Sequence, residues 1–257
     1  MGRYRMNLEC LLVPSLFMLL LVPVRTAESE EVIQWIDLID TKGPTGIVQL
    51  GKNAVLCGDV TLELNSKSLE AQPGEGVVAA LSKSKFGEAN NLLSRQEFGD
   101  CEVQLEFLIG KGSNSGVKLQ QRYEIQLYDS HHKDKPSARE CGGIYPHWLF
   151  QGEGKPLKYI DEGVPPLVNA AKPAGKWQTL EVVFRAPRFA SDGTKVDNAK
   201  FLSVKLNGQI IHQEVEVASP TGNASTPLPE VAEAALMLQM DHGAVAFRNV
   251  RVKRLEL

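Results

Sequence analysis

Three polar side chains stand close together in the stretch YEIQLYD, which ends at Asp129. Glu124 and Asp129 carry carboxylates that can accept or donate a proton, and the Gln126 amide can hydrogen-bond a hydroxyl group or Glu124. Alternate residues of a β-strand share a face, so Glu124 and Gln126 lie side by side, on a working face or on a solvated exterior. Asp129 falls on the opposite face, where it caps a turn unless a β-bulge brings it to Glu124.

Asp241-His242-Gly243 forms a second group with chemical potential. His242 can transfer a proton near neutral pH or bind a metal ion. Gln239 and Arg248 lie nearby in the sequence, and the Arg248 guanidinium can hold a carboxylate or an enolate oxygen. The alternative interpretation is a tight turn at Asp241-His242-Gly243, with Arg248 in an ion pair with a structural acid.

Metal binding is left open by the sequence. His131 and His132 follow Asp129, but adjacent side chains of an extended chain point in opposite directions, so a solvated loop is expected there. No close Cys/His cluster indicates structural zinc, whereas Ca²⁺ held by backbone and carboxylate oxygens would leave no readable motif. No cofactor is therefore certain, and a divalent metal ion stays an option.

Composition restricts the class of ligand. The chain has 257 residues and a formal net charge of -3, from 28 Lys and Arg against 31 Asp and Glu. A nucleic-acid-binding protein normally carries a basic surplus, so we expect no nucleic acid as a partner. A neutral ligand such as a sugar is compatible with this balance.

The N-terminus has the pattern of an export signal. Arg3 and Arg5 precede an apolar run from Leu11 to Val24, which is about half as long as a membrane span. We therefore predict a signal peptide over residues 1–27, a single domain over 28–257, and an exported protein, either periplasmic or secreted. No stable membrane insertion is expected after cleavage, and an uncleaved anchor is the alternative.

Three cysteines remain after residue 27, namely Cys57, Cys101 and Cys141. An odd number permits at most one disulfide within the chain, and their wide spacing is unlike a disulfide framework or a zinc ribbon. One bridge and three buried thiols are both compatible with the sequence, which also leaves the oligomeric state open.

Strands must position the polar groups. Apolar and polar residues alternate in CEVQLEFLIG, YEIQLYD and WQTLEVVFRAP, as is typical of a sheet with one buried face. Asn207-Gly208 between two apolar runs predicts a β-hairpin, and the C-terminal run predicts two strands around Asp241-His242-Gly243. Many short strands separated by Gly and Pro favour an antiparallel sandwich or jelly roll. The residues predicted to face inward are Val103, Leu105, Phe107, Tyr123, Ile125, Leu127, Leu180, Val182 and Phe184.

Two connections are long. Ser130–Ala138 is polar and is predicted to be exposed, whereas Gly142–Lys176 combines little strand pattern with several aromatic residues. A connection of the second length is usually functional, so we expect it to form a wall or lid over a site. Tyr145, Trp148 and Tyr159 can stack against sugar rings or fix the loop to the core.

Five motifs of the chain resemble a known family. SNSGVKLQQRYEIQLYDS resembles the central motif of the 3-keto-disaccharide hydrolase family, long described as a domain of unknown function. The resemblance covers about residues 35–256, nearly the whole of the predicted mature chain. The further matches follow in the right order: GGIYP at Gly142–Pro146, KPAGKW at Lys172–Trp177, LNG at Leu206–Gly208 and LQMDHGAVAFRNVRV at Leu238–Val252.

The resemblance implies a fold and a chemistry. The implied fold is all-β, a concanavalin A-like jelly-roll β-sandwich of two curved antiparallel sheets with a ligand groove on the concave face. The implied activity is cleavage of glycosides already oxidised to a ketone at sugar carbon 3, by an exported protein. A base removes the acidified proton at carbon 2, the group at carbon 1 leaves, and water can add back. Such a site needs a base, a donor or metal for the enolate oxygen, and an acid for the leaving oxygen.

On this interpretation Glu124 is the general base, and His242 and Asp129 are the other candidate catalytic groups. Their residue types suit proton transfer, and the neighbouring polar and aromatic side chains suit a sugar. The candidate substrate-binding residues are Gln126, Tyr145, Trp148, Gln239, Asp241 and Arg248.

Two alternatives belong to other functional classes. The same groove without a competent base would make a carbohydrate-binding module. The spacing Glu-x-Gln-x-x-Asp is also similar to the Glu-x-Asp-x-x-Glu signature of β-glucanases, whose outer carboxylates act as nucleophile and acid/base at about 5–5.5 Å. That glycosidase would use Glu124 and Asp129. The sugar and its linkage are not fixed by the sequence.

Overall fold

The protein is represented by a computed structural model that describes residues 1–2, 34–83, 91–149, 151–152, 154–221 and 228–257. Apart from residues 1–2, the segment assigned to the signal peptide lies outside the described residues. The described part contains 17 strands, all within the compact unit Ile33–Leu257, and no helix. No helix long and apolar enough to cross a membrane therefore occurs in the described ranges.

Eight antiparallel strands form the larger sheet. The order along the sheet is β15-β14-β11-β6-β17-β4-β3, and β1 pairs with the C-terminal half of β17. The strands are β1 (Trp35–Ile39), β3 (Ala54–Leu62), β4 (Leu69–Ala80), β6 (Cys101–Ile109), β11 (Gln178–Arg185), β14 (Ala199–Leu206), β15 (Gln209–Val217) and β17 (Val245–Arg254).

Five antiparallel strands form the smaller sheet, in the order β2-β5-β16-β7-β8. Two short hairpins complete the described strands, β9 (Trp148–Leu149) with β10 (Lys158–Tyr159) and β12 (Arg188–Phe189) with β13 (Lys195–Asp197). The strands of the smaller sheet are β2 (Ile47–Gln49), β5 (Leu92–Phe98), β7 (Asn114–Leu119), β8 (Tyr123–Tyr128) and β16 (Ala234–Leu238).

One continuous apolar core lies between the two sheets. The alternating residues predicted to face inward on β6, β8 and β11 are all buried and belong to this core. A fully buried side chain such as Phe107 stabilises the fold by roughly 1.5–3 kcal/mol relative to an exposed one. The chain is therefore an all-β, concanavalin A-like sandwich of two antiparallel sheets, which confirms the predicted fold class.

The predicted hairpin at Asn207-Gly208 joins β14 to β15. Asn207 has a φ of 52° and Gly208 a φ of 80°, the left-handed pair that a tight hairpin turn requires. Asn207 also receives a second role, because its amide nitrogen donates hydrogen bonds to Ala170 O and Gln178 Oε1. The hairpin is therefore fixed to the long connection before β11.

Of the two possibilities for the cysteines, one disulfide or three buried thiols, the structure shows buried thiols. Cys57, Cys101 and Cys141 are all buried and unbridged. Burial is the main cause that raises the pKa of the Cys101 thiol to about 12 and that of Cys141 to about 11. These cysteines therefore stay protonated and act as small apolar residues of the interior.

Candidate functional site

Strands β7 and β8 bring Glu124 next to a lysine. In their antiparallel pairing Lys118 lies directly opposite Glu124, and Gly116 lies opposite Gln126. Because Tyr123, Ile125 and Leu127 fill the core, the intervening residues of β8 point to the outer face of the smaller sheet. This outer face carries the candidate site.

Glu124 and Lys118 form a buried ion pair. Lys118 Nζ lies 3.2 Å from Glu124 Oε2, and the two side chains are 11% and 5% exposed. The prediction that Glu124 shares a face with Gln126 agrees with the structure, but that face is not solvated: Glu124 is 4% exposed and Gln126 2%. The pair is therefore a charged group held in a site largely closed to water.

Gly116 leaves the space that the Glu124 carboxylate occupies. A Cβ built on Gly116 would collide with Glu124 Oε1 and would touch the rest of its side chain. A glycine at this position of β7 thus permits the Glu124 side chain to lie flat against the neighbouring strand. The SNSG motif has a structural role, which in turn sets the position of Glu124.

Burial sets the protonation behaviour of Glu124. Removal from water raises the pKa of its carboxyl above the ordinary value, and the Lys118 ammonium opposes this shift. The His242 imidazole also lowers the pKa of Glu124, whereas the Asp241 carboxylate raises it. A carboxylate whose pKa lies above the usual range is a stronger base than an exposed glutamate.

Asp241 and His242 reach the same face from the end of β16. His242 Nδ1 lies 2.6 Å from Asp241 Oδ1, and the Asp241 side chain is only 6% exposed. Gln239 fixes this segment beside β7, since its N–H donates to Gly116 O and its carbonyl accepts from Ser115 Oγ. The two groups singled out in the sequence, Glu124 and Asp241-His242, therefore meet in one site.

The predicted wall begins beside β8. The Tyr145 N–H donates to Glu124 O at 3.0 Å, and Ile144 bridges Ile125 on one side and Val164 on the other. Gly142 and Gly143 exchange hydrogen bonds with the backbone of Gln126 at 2.7 and 2.8 Å. The start of the long connection thus extends the smaller sheet at β8, next to Glu124.

Aromatic residues continue this wall. Burial, and then hydrogen bonding to Tyr159, raise the pKa of the Tyr145 hydroxyl, which therefore stays protonated. Trp148 lies opposite Tyr159 in the β9–β10 pair, and the Arg139 guanidinium carbon lies 4.3 Å from the centroid of the Tyr159 ring. Tyr145 is close enough to Glu124 to feel its charge, whereas Trp148 belongs to the outer part of the wall.

Gln126 supports this arrangement through its amide. Its Nε2 donates to Asn114 Oδ1 at 3.2 Å and to Arg139 O at 3.3 Å. These bonds tie the start of β7 to the segment that carries Arg139. Gln126 is therefore built into the floor of the site next to Glu124.

Asp129 is not brought to Glu124 by a bulge. The β7–β8 pairing runs from Tyr123 to Tyr128 without any shift in register. Asp129 Oδ2 instead accepts a hydrogen bond from the Gly112 N–H at 2.9 Å. This is the turn-capping alternative, and the geometry that a glucanase-like pair of carboxylates would need is missing from this pairing.

The expected place of Arg248 at the site needs correction. Arg248 lies on β17 in the larger sheet, directly opposite Glu106, and its guanidinium contacts Glu106 Oε2 at 2.8 Å. Its guanidinium carbon also stacks on Trp177 at 4.0 Å from the ring centroid. Because Phe247 points into the core, Arg248 points to the outer face of the larger sheet, away from the face of Glu124.

Lys118 is the site residue that sequence reasoning missed. Its place opposite Glu124 depends on the turn between β7 and β8, where Gln120 and Gln121 have φ values of 53° and 60°. Glycine and asparagine usually mark such left-handed turns, and two glutamines give no such signal. A known turn length would have fixed the register and revealed the pair.

Among the residues that the structure describes, no three His, Cys, Asp or Glu side chains come together as a metal site. His131 Nδ1 lies 2.8 Å from Ala171 O, and His132 is exposed on the polar loop. We therefore name no metal ligands for this site.

The comparisons with known proteins agree with this architecture. A sequence model described as a 3-keto-alpha-glucoside-1,2-lyase-like domain matches residues 35–253. A candidate glycosyl hydrolase of Parabacteroides distasonis is 19% identical at a TM-score of 0.59, with 86% of this chain and 84% of that chain covered. A second one from this organism is 16% identical at a TM-score of 0.51, with 90% and 98% covered. These structural likenesses concern the fold, and no curated protein matches the sequence.

Proposed function

Because the chain belongs to the family of 3-keto-alpha-glucoside-1,2-lyase-like domains, which is carbohydrate-active, we propose that it cleaves 3-keto-glycosides by elimination. The observation that carries this proposal is the meeting of a buried carboxylate, Glu124, with the Asp241-His242 pair on one sheet face. A base and an acid on the same face are what the elimination requires.

Glu124 is the general base of the proposed reaction. Its carboxylate removes the proton from sugar carbon 2, which is acidified by the ketone at carbon 3. The raised pKa of Glu124 favours this transfer, because it brings the pKa of the base closer to the pKa of the carbon acid. The elimination involves no enzyme nucleophile, which fits a site in which Asp129 caps a turn.

The Asp241-His242 pair supplies the acid. The Asp241 carboxylate, 2.6 Å from Nδ1, accepts a hydrogen bond from the His242 ring and fixes its orientation. The imidazolium gives a proton to the oxygen that leaves carbon 1, so that a neutral alcohol departs. The other product is an unsaturated 3-keto sugar with a double bond between carbons 1 and 2, to which water can add.

The wall over β8 holds the sugar. The Tyr145 hydroxyl donates a hydrogen bond to Tyr159 and offers its oxygen as an acceptor to a sugar hydroxyl. Trp148 and Tyr159 offer aromatic surface for the second sugar ring at the more exposed end.

We also propose that the protein acts after export, as the N-terminal pattern predicts; tagged full-length protein should then appear outside the cytoplasm without residues 1–27.

The test is turnover of 3-keto and unmodified disaccharides by the purified domain, with and without a chelator, followed by mass spectrometry. Cleavage confined to 3-keto sugars supports the proposal, and its loss in Glu124→Gln with retained sugar binding supports the role of Glu124. We expect the variant to lose at least about 100-fold in kcat. Cleavage of unmodified glycans would point to a conventional glycosidase, and binding without turnover would indicate a binding module.

A further inference from the structure

We propose that Lys118 is a further catalytic residue, whose ammonium group hydrogen-bonds the oxygen at sugar carbon 3 while that oxygen carries the enolate charge. This inference rests on the proposed function, because it concerns the same elimination. The reaction needs a donor at carbon 3, and Arg248, the residue expected to supply it, lies on the outer face of the other sheet. The structure offers Lys118 in its place.

The distance between Lys118 and Glu124 fits a reaction in which Glu124 is the base at carbon 2 and Lys118 is the donor at carbon 3. A general base acts on a proton over about 2.6–3.2 Å, and a donor for an oxyanion lies about 2.7–3.1 Å from it. Carbons 2 and 3 are bonded to each other, so the base and the donor must be close neighbours. Lys118 Nζ and Glu124 Oε2 are 3.2 Å apart, on strand positions directly opposite each other.

The movement of charge also favours Lys118. When Glu124 takes the proton from carbon 2, the electrons of that bond form a double bond to carbon 3, and the carbonyl pair moves to the oxygen. The negative charge thus passes from Glu124 to the carbon 3 oxygen, beside the same ammonium group. The enolate then re-forms the ketone, a double bond forms between carbons 1 and 2, and the carbon 1 oxygen leaves with the proton of His242.

Burial makes this contact effective. The Lys118 side chain is 11% exposed, so its charge is poorly screened by water. A donor that is already in place needs no rearrangement when the enolate forms, which is the property that makes oxyanion stabilisation strong. Lys118 faces Glu124 from β7, Asp241 and His242 face it from the segment after β16, and Tyr145 faces it from the wall.

The experiment uses a 3-keto sugar that can form the enolate but lacks the glycosidic leaving group at carbon 1, the 3-keto derivative of 1,5-anhydroglucitol. In deuterated water, exchange of the proton at carbon 2 is followed by NMR, above the rate without protein. The full domain is compared with Lys118→Met and Lys118→Arg from mildly acidic to mildly alkaline pH. Exchange by the unchanged protein tests the proposed function, and the variants test Lys118.

We expect Lys118→Met to lower the exchange rate by about 10²- to 10³-fold at every pH, which is the cost of one oxyanion donor. Lys118→Arg, which keeps the charge, should recover part of the rate. If Lys118 acted only by keeping Glu124 ionised, raising the pH would restore exchange in Lys118→Met, and that result would overturn the inference. Unchanged exchange in Lys118→Met would overturn it too, with the proposed function intact, whereas no exchange by the unchanged protein would overturn both.

Lys205→Met is the matched control. Lys205 lies directly opposite Glu181 on neighbouring strands of the larger sheet, at 3.7 Å, but both side chains are about 40% exposed. Its substitution should leave exchange unchanged. If Lys118→Met fails to fold, Lys118→Arg and Lys118→Gln carry the test: retention of the full rate in Lys118→Gln contradicts the inference.

Discussion

The buried Lys118–Glu124 pair should reduce the stability of the fold, although each single charge depends on its partner. At 3.2 Å the attraction is roughly 5 kcal/mol with an effective dielectric constant of about 20. Taking the two charges out of water costs several kcal/mol for each ion, so the attraction does not offset the loss. The pKa of Glu124 leads to the same conclusion. It is raised, because the effect of burial on this pKa outweighs the opposite effect of Lys118.

A double-mutant cycle measures this balance. Glu124→Gln and Lys118→Met should each destabilise the domain by about 3–5 kcal/mol, because each leaves one buried charge without its partner. The double variant should lose much less than the sum of the two single effects, because it leaves no buried charge without a partner. Urea unfolding at neutral pH gives the four free energies.

One outcome of the double-mutant cycle would refute this prediction. If the double variant lost the sum of the two single effects, the coupling free energy would be zero and Lys118 and Glu124 would not act as a pair. Lys205→Met and Glu181→Gln provide the exposed comparison, where we expect a coupling of no more than about 1 kcal/mol.

Three further predictions concern the same site. Gly116→Ala should lower kcat by about 100-fold and also destabilise the domain, because the new Cβ displaces the Glu124 side chain that pairs with Lys118; equal activity in turnover assays would contradict this. In Asp241→Asn the factor by which kcat falls should be about 100 times the factor by which KM rises, because His242 loses the carboxylate at Nδ1. An unchanged pH–rate profile would argue against a joint role of Asp241 and His242. Glu124 binds its proton more tightly in the folded domain, so stability should fall as the pH rises from 4.5 through the raised pKa, and pH-dependent urea unfolding should show this slope removed in Glu124→Gln.

The sequence was sufficient for the fold because its strands have one apolar and one polar face. Val103, Leu105 and Phe107 alternate with polar residues, and this period of two predicts the sheet and its buried side. The left-handed turn at Asn207-Gly208 was readable for a similar reason, since these residue types tolerate positive φ. Local patterns of this kind contain the information that the fold needs.

The site was only partly predictable because it depends on contacts between distant segments. Asp241 and Arg248 are neighbours in sequence, but the chain crosses from the smaller to the larger sheet between them, so that they point to different faces. The segment at Tyr145 hydrogen-bonds to Glu124 from a separate part of the chain, which no alternation pattern reveals. Lys118 was hidden by a turn made of glutamines.

In the proposed reaction Glu124 removes the proton from carbon 2 before the glycosidic bond breaks. The most direct measurement is cleavage of a 3-keto disaccharide deuterated at carbon 2, with mass spectrometry of the released products. We expect that every turnover loses the deuterium to solvent and that Glu124→Gln does not release it. Cleavage that retains the deuterium at carbon 2 would contradict proton removal by Glu124.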